Sequence, residues 1–160
     1  MAVDMFLKLD DLKGESRDDK HKDETEVLAW SWGMSQSGTT HTGSGGGAGK
    51  VSVQDLSVTK YVDKSSPVLQ LSCCNGKHFK ECLLTVRKAG EKPVEYLKIT
   101  MKEVIITSIS TGGSGGEDRL TENVTLNFAE FKTEYTPQKP DGSGDAAIEA
   151  AWNIAKNVKV

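Results

Sequence analysis

This chain of 160 residues has few of the residues that mark a disulfide-stabilised or metal-binding protein: three cysteines and three histidines. An odd number of cysteines favours no disulfide framework, and Cys73, Cys74 and Cys82 have no spacing typical of a zinc site. No histidine lies at metal-ligand spacing from another histidine or from a cysteine. We therefore expect neither a bound metal nor a cofactor.

The chain also lacks a dominant charge and a long apolar run. Its net charge is -3, with acids and bases interspersed, whereas a nucleic-acid-binding domain needs a basic stripe to neutralise phosphates. The first ten residues have neither the basic leader nor the apolar core of a secretory signal, and no window approaches the roughly 18 apolar residues of a membrane span. We expect a protein made in the cytoplasm without a signal peptide, with no membrane span and no nucleic-acid partner.

Three short stretches resemble catalytic or nucleotide-binding motifs, but each departs from its pattern. Residues 43–51 lack the first glycine and the magnesium-binding hydroxyl of a P-loop, and they lead into a strand where a dinucleotide fingerprint opens a helix. Residues 112–116 resemble a nucleophile elbow, but Glu-Asp-Arg follows instead of an apolar helix. His21 and Glu26 could form an acid–base pair, although their charge-rich loop is expected to be solvated. We therefore predict that the protein is not an enzyme.

The residues that are abundant predict a mainly β domain organised around residues 26–62. Residues 27–34 alternate, with bulky side chains on one face and small ones on the other, and a second strand begins near Lys50. The bulky set is Leu28, Trp30, Trp32 and Met34, and the small set is Val27, Ala29, Ser31 and Gly33. The intervening loop, residues 35–49, is longer than loops in compact domains usually are, which indicates function or disorder, and we expect function.

Residue types that favour the two ends of a helix predict one short helix after these strands. Ser66 is a candidate N-cap, Pro67 suits the first helical position, and Gly76 suits a left-handed stop. The tail from Ala146 to Val160 has apolar residues at spacings that fit a helix as well as a strand.

The remaining apolar pattern predicts strands that curve. The apolar face switches near residues 54–55 and again between residues 128 and 131, and such switches indicate β-bulges of the kind that a barrel requires. Residues 94–109 exceed the usual strand length, so we expect that strand to bend or to serve two sheets. Its predicted inner face is Leu97, Ile99, Met101, Ile105, Thr107 and Ile109.

Five longer phrases, in order along nearly the whole chain, carry a family resemblance. They are the opening Met-Ala-Val-Asp-Met-Phe-Leu-Lys-Leu, Val27-Leu-Ala-Trp-Ser-Trp-Gly-Met-Ser-Gln-Ser-Gly38, Gly49-Lys-Val-Ser-Val-Gln-Asp-Leu-Ser-Val-Thr-Lys-Tyr61, Gly112-Gly-Ser-Gly-Gly-Glu-Asp-Arg119 and Glu122-Asn-Val-Thr-Leu-Asn-Phe128. Together they closely resemble the haemolysin-coregulated protein family, Hcp, of bacterial type VI secretion systems.

The resemblance implies a single tube domain over residues 1–160. Its expected fold is a small β-barrel of two packed sheets with one short flanking α-helix, in which the tail is a strand. It also implies that six copies close into a ring and that rings stack into an inner tube, which a contracting sheath drives out of the cell. The implied partners are other copies of the chain, a spike protein, the sheath, the baseplate and effectors carried in the lumen. The protein would then reach the extracellular space or a target cell.

Two sites follow as hypotheses from the resemblance and the residue pattern together. Ser31, on the small face of its strand, is expected to line the lumen and contact cargo. The long loop is expected to contact a neighbouring ring through Gly38, Thr39, Thr40, His41, Thr42, Gly43 and Ser44. The alternative is a monomeric β-barrel ligand-binding module, which exposed side chains at Trp30 or Trp32 would favour.

Overall fold

The computed structural model describes residues 2–38 and 49–160, which form twelve strands and one helix. The strands are β1 (Val3–Leu9), β2 (Thr25–Glu26), β3 (Ala29–Ser31), β4 (Met34–Ser35), β5 (Ser52–Val53), β6 (Leu56–Tyr61), β7 (Phe79–Lys88), β8 (Val94–Gly112), β9 (Thr121–Asn127), β10 (Glu130–Tyr135), β11 (Ile148–Asn153) and β12 (Val158–Lys159). The helix, α1 (Ser66–Asn75), lies between β6 and β7. The expectation of a mainly β fold with one short helix is therefore confirmed.

Two antiparallel sheets share the long strand β8. The first sheet has the order β12-β11-β10-β8-β7-β1-β2, and the second has the order β3-β6-β9-β8. Residues 94–104 of β8 pair in the first sheet, and residues 105–112 pair with β9 in the second. The expectation that this stretch serves two sheets is confirmed. Strands β4 and β5 form a separate two-stranded hairpin.

The core fills the space between the two sheets. Its most buried side chains include Leu9, Leu56, Val58, Phe79, Cys82, Leu84, Ile99, Met101, Val104, Val124 and Leu126, all at most 2% exposed. Leu69 attaches α1 to this core. Both sheets present the apolar face of an alternating pattern to the interior and the polar face to the outside, as expected for two packed antiparallel sheets.

One part of the predicted inner face of β8 is wrong. Val104 and Ile106 are buried, whereas Thr107, predicted to point inward, is exposed. The cause is Glu103, whose φ of +55° places it in the left-handed region and reverses the face that the following residues present. This is the corner at which β8 leaves the first sheet for the second.

The stretch 27–34 is likewise not one strand. The Val27 N–H donates to Met5 O of the first sheet (2.9 Å), but the Leu28 N–H donates to Thr59 O of the second (2.8 Å). The chain therefore changes sheets between two consecutive residues, and the predicted faces change with it: Val27 is buried and Leu28 is 40% exposed. Trp30 and Trp32 do pack against the core as the bulky face predicted.

Both predicted face switches fall at breaks between strands rather than at the predicted β-bulges. The chain leaves β5 after Val53 and enters β6 at Leu56, and it leaves β9 after Asn127 and enters β10 at Glu130. Phe128 and Phe131, on either side of the second break, are both buried, although Tyr135 is 48% exposed. The tail forms β11 and β12, so its strand interpretation is confirmed and its helical one is wrong.

The helix has its predicted position but not its predicted cap. The N-cap residue is Ser65 rather than Ser66, and no side chain caps the first turn. Pro67 lies in that first turn, and Gly76 ends the helix with φ +67°, as predicted. The Ser66 hydroxyl is used elsewhere, in a buried cluster described below.

The charge-rich loop between β1 and β2 is solvated only in part: residues such as Lys13, Asp19 and Lys22 are exposed, but the middle of the loop packs onto the first sheet. His21 is 7% exposed and stacks on Phe6, with ring centroids 4.4 Å apart and planes 9° apart. Its Nδ1 hydrogen-bonds Glu24 (2.6 Å) and its Nε2 hydrogen-bonds Glu95 (2.7 Å), so its partners do not include Glu26. The Glu95 carboxylate and the Phe6 ring therefore hold the middle of the loop against β8 and β1, and Glu24 fixes the His21 ring from within the loop.

Candidate functional site

The outer face of the second sheet is built from small polar side chains. Along β6, Leu56 and Val58 point into the core, so Ser57 and Thr59 point outward. The cross-strand register places Ser57 beside Ser31 and Thr125, and Thr59 beside Ala29 and Asn123. We call the following set the hydroxyl face: Ala29, Ser31, Ser57, Thr59, Ser108, Ser110, Asn123 and Thr125.

Hydrogen bonds join the side chains of this face. The Thr59 hydroxyl donates to Asn123 Oδ1 (2.7 Å), and the Ser108 and Thr125 hydroxyls lie 2.6 Å apart. These short bonds order the side chains while their remaining donors and acceptors stay available. The face can therefore bind polar groups through many weak hydrogen bonds.

None of the eight side chains of the hydroxyl face carries a charge. Charged groups lie at the two ends of β6: Asp55, which accepts hydrogen bonds from Thr107 and Asn127 (both 2.8 Å), and Arg119, whose guanidinium lies 3.7 Å from the centroid of the Tyr61 ring. A surface of this kind does not select the charge of what it contacts.

Ser31 is exposed on β3 and lies directly opposite Ser57. Gly38 is also exposed, and a Cβ added there would meet no atom within 4 Å. The other residues of the candidate stacking loop, Thr39, Thr40, His41, Thr42, Gly43 and Ser44, lie outside the described residues.

Both edges of the second sheet are open in the described part of the chain. Strand β3 pairs only with β6, and residues 105–112 of β8 pair only with β9. Such edges present unpaired backbone N–H and C=O groups, which favour pairing with another chain. Sequence reasoning did not locate these edges because strand order is not written in a local pattern.

A buried ionic cluster supports the hydroxyl face from behind. Lys60 (1% exposed) forms an ion pair with Glu122 (0% exposed), and its Nζ also lies 3.1 Å from Asp63 Oδ1. The Ser66 hydroxyl donates to Glu122 Oε1 (2.5 Å), and the Thr111 hydroxyl donates to Glu122 Oε2 (3.1 Å). The cluster joins α1 to three strands of the second sheet. The sequence pattern indicates that Lys60 is buried, because Lys60 continues the alternation in which Leu56 and Val58 point into the core.

Two of the described residues whose types can do acid–base or nucleophilic chemistry, His21 and Cys82, are occupied or inaccessible. Both ring nitrogens of His21 face carboxylates, and burial, with smaller effects from Asp10 and Glu81, raises the pKa of the Cys82 thiol. Burial also acts to raise the pKa of Glu95, but hydrogen bonds from His21 and Lys98 outweigh it and leave that pKa below its ordinary value. Within residues 2–38 and 49–160, no three His, Cys, Asp or Glu side chains are grouped to hold a metal ion. The same residues include no helix long and apolar enough to cross a membrane.

A two-sheet antiparallel β domain is a scaffold that hosts many functions, so its class is defined here by its relatives. A family model described as "Type VI secretion system effector, Hcp" matches residues 6–135. Protein hcp1 of Pseudomonas aeruginosa is 65% identical to this chain over 161 residues, covering 99% of each chain.

Solved structures agree with this similarity. The crystal structure of Hcp1 from Salmonella typhimurium has a TM-score of 0.83 at 42% identity and covers 100% of both chains. The structure of a type six secretion system protein has a TM-score of 0.94 at 31% identity, covering 99% of this chain and 100% of its own. This chain therefore belongs to the Hcp family, the secreted tube proteins of type VI secretion systems, which is not a known enzyme family.

Proposed function

We propose that six copies of this chain close into a ring, and that stacked rings form the inner tube of a type VI secretion system. The tube is propelled by sheath contraction and carries effectors in its lumen, and it works with a spike protein, the sheath and the baseplate. Membership of the Hcp family supports a role as a tube protein of the type VI secretion system. The observation that supports the hexameric ring is the second sheet, with two open edges and an uncharged face between them.

The two open edges of the second sheet belong to different strands, β3 and β8, and a contact between them allows a ring to close. A contact between unlike surfaces of identical chains is heterologous, and it closes into a ring when the rotation between copies returns to the start. Pairing β3 of one copy with residues 105–112 of β8 in the next would extend the second sheet around the ring. The hydroxyl face would then form the inner wall, because the opposite face of the sheet is occupied by the core of each protomer.

Native mass spectrometry of the purified protein, followed by negative-stain imaging of the same sample, tests the assembly. Six-subunit rings with an open centre are the expected result. A stable monomer at all concentrations would overturn the proposal and leave the ligand-binding alternative. The ligand-binding alternative predicts an exposed tryptophan side chain. Trp30 and Trp32 instead pack partly against the core, and the centroid of the Trp32 ring lies 4.9 Å from that of Phe131.

Substitution of Ser31 tests the lumen assignment. Ser31→Gln places a longer side chain on the hydroxyl face without adding a charge, so we expect rings to form as before and effector co-purification to change. Ser35→Gln, on the separate β4–β5 hairpin, is the matched control and is expected to leave co-purification unchanged. If Ser31→Gln altered neither tube formation nor cargo, Ser31 would not be a lumen contact.

Deletion of residues 43–47 tests the stacking role proposed for the long loop. The β4–β5 hairpin that flanks the loop is already paired through Met34 with Val53 and through Ser35 with Ser52, so we expect the shortened chain to fold and to form rings. Stacking, measured as tube length by electron microscopy, should decrease. Loss of the ring itself would show that the loop acts between neighbours within a ring instead.

A further inference from the structure

A small pocket beside α1 carries an excess of positive charge. It encloses about 350 Å³ and is lined by residues from three separate stretches of the chain. We call this set the basic pocket: Asp11, Leu12, Lys13, Lys64, Val68, Lys77 and Phe79. Three lysines against one aspartate make the pocket positive, whereas the whole chain has a net charge of -3.

The floor of the basic pocket is apolar and is fixed by the fold. Phe79 is only 2% exposed, and Leu12 is half-buried and packs against the core. Asp10, two residues before Leu12, accepts hydrogen bonds from the N–H groups of Lys80 (2.8 Å) and Glu81 (2.9 Å), so the turn after β1 is held against the start of β7. A concave site with a preformed apolar floor favours the binding of an apolar side chain.

The side of the basic pocket formed by α1 is also held in place. The Lys64 N–H donates to Glu15 Oε2 (3.1 Å), which ties the chain just before α1 to the charge-rich loop. Leu69 is buried in the core, so the neighbouring Val68 stays at the pocket wall, 42% exposed. Because the backbone is fixed on both sides of the pocket, a ligand can bind there without a large cost of ordering the chain.

The three lysines surround the floor without carboxylate partners. Among the described residues, the ammonium groups of Lys13, Lys64 and Lys77 form no ion pair, and residues 39–48 contain no acidic side chain. The Lys77 ammonium lies 4.9 Å from the centroid of the Phe79 ring, a cation–π contact that places its charge over the floor. The basic pocket therefore combines unpaired positive charge with apolar surface.

Shape and charge favour a protein segment over a membrane as the partner of this site. Clusters of about four to eight basic residues bind anionic membranes, but the basic pocket has three lysines around a concavity. The net charge of -3 on the chain also opposes its approach to an anionic surface. A peptide segment, in contrast, can insert one apolar side chain between the lysines and place a carboxylate beside each of them.

We propose that the basic pocket binds an acidic peptide segment of a partner protein. An apolar side chain of that segment contacts the floor and wall formed by Leu12, Val68 and Phe79, and carboxylates on either side of it pair with the three lysines. This inference goes beyond the proposed ring, because it uses no residue of the second sheet and no contact between copies of the chain.

Binding of a synthetic peptide tests the proposal. The probe is a fluorescein-labelled peptide, Glu-Asp-Leu-Leu-Asp-Glu, whose fluorescence anisotropy is measured as the purified protein is added at low salt. We expect saturable binding that weakens at about 1 M salt, because salt screens pairs of exposed charges. The same peptide with Gln and Asn in place of the acids should not bind, and one with Ser in place of both leucines should bind more weakly.

A pair of matched double variants tests whether the lysines of the basic pocket hold the peptide. Lys64→Gln with Lys77→Gln removes two charges from the rim, and we expect the Kd to rise about tenfold, the effect of losing two ion pairs near the surface. Lys20→Gln with Lys22→Gln, in the charge-rich loop, is the control and should leave the Kd unchanged. All four lysines are exposed, so both variants should fold.

Carbodiimide cross-linking locates the bound peptide, since it joins a carboxylate to a lysine amine in contact with it. Mass spectrometry should find the peptide on Lys13, Lys64 or Lys77. Absence of saturable binding, equal binding by the two double variants, or links confined to other lysines would overturn the proposal.

Two further measurements separate this proposal from its neighbours. Sedimentation with vesicles of phosphatidylcholine and phosphatidylglycerol tests the membrane: binding to vesicles that needs Lys64 and Lys77, without binding of the peptide, would overturn the peptide partner in favour of a lipid surface. Native mass spectrometry of the Lys64→Gln, Lys77→Gln variant should show the same assembly as the unsubstituted protein, so that loss of peptide binding is distinguished from loss of the proposed ring.

Discussion

Lys60 and Glu122 are two charged side chains at the centre of a protein whose other buried residues are mostly apolar. They face each other across β6 and β9, and hydroxyl groups from α1 and β8 complete their coordination. Because a buried ion pair costs desolvation, its benefit is in specificity: only one placement of α1 satisfies all the partners. His21 and Arg87, both buried, fasten the charge-rich loop to the first sheet through Glu95 and Asp18.

Acid should release part of this loop through Asp18. The hydrogen bond from Arg87 lowers the pKa of Asp18 from 3.8 to about 2, against a smaller opposing effect of burial. A carboxyl group whose pKa is lower in the folded state stabilises the fold above its ordinary pKa. The stability that Asp18 contributes is therefore present above pH 3.8 and is lost as the pH falls toward about 2.

We expect Asp18→Asn to lower the free energy of unfolding by about 1 kcal/mol at neutral pH. This is a typical contribution of a hydrogen bond between charged side chains when one of them is partly exposed to solvent. The difference from the unsubstituted protein should disappear as the pH falls toward about 2. Urea unfolding at a series of pH values measures both. Asp19→Asn, at the exposed neighbouring residue, is the control, and a parallel pH dependence in Asp18→Asn and the unsubstituted protein would contradict the assignment.

At the scale of elements, β8 and α1 show which local sequence patterns are sufficient to predict a strand or a helix. The length of residues 94–109 predicted that one strand serves two sheets, and the structure confirms it. The inner face just after the corner could not be predicted, because a single left-handed residue, Glu103, reverses the alternation without an unusual residue type to mark it. A register shift between Ile106 and Ser108 restores it, so Ile109 packs against the core as predicted. For α1, Pro67 and Gly76 predict the ends, but the predicted cap at Ser66 is wrong, because the hydroxyl bonds Glu122, a partner far away in the sequence.

Gly76 should stabilise the end of α1 through its backbone alone. Its φ is +67°, and a Cβ added there would meet no atom within 4 Å, so Gly76→Ala adds conformational strain without a clash. We expect it to lower the free energy of unfolding by about 1 kcal/mol. Gly115→Ala is the matched control because a Cβ there also meets open space, but without a left-handed backbone. Thermal unfolding compares the two, and an equal effect would show that the left-handed cap is not needed.

At the scale of the whole molecule, the two sheets have different outer surfaces. The outer surface of the first sheet carries ion pairs such as those of Lys132 with Glu134 and Glu149 (both 3.5 Å), whereas the hydroxyl face of the second is uncharged. If the hydroxyl face lines the lumen, cargo is held there by hydrogen bonds and shape. A wall without charge suits a tube that must pass proteins of either sign.

Cargo retention should therefore depend weakly on salt. At about 1 M salt the Debye length falls to about 3 Å, which screens contacts between exposed charges. We expect an effector that co-purifies with the rings at low salt to remain with them at about 1 M sodium chloride. Asn123→Lys, which adds a ring of charge to the same wall, should make retention salt-dependent and provides the comparison. Release of cargo from the unsubstituted rings by salt would contradict a hydrogen-bonded lumen.

The sequence by itself determined the mainly β class, the single helix, the unusual length of the strand that begins at Val94 and the changes of apolar face near residues 54–55 and between residues 128 and 131. These depend on side-chain alternation, chain length and turn residues, which act between near neighbours. Its family phrases also determined membership of the Hcp family, and Ser31 was placed on an exposed strand face. The tertiary structure alone decided the change of sheets between Val27 and Leu28, the packing of the charged loop, the Lys60–Glu122 pair, the open edges and the basic pocket. Each of these joins residues that are far apart in the chain, so its free energy exists only after the two sheets have packed.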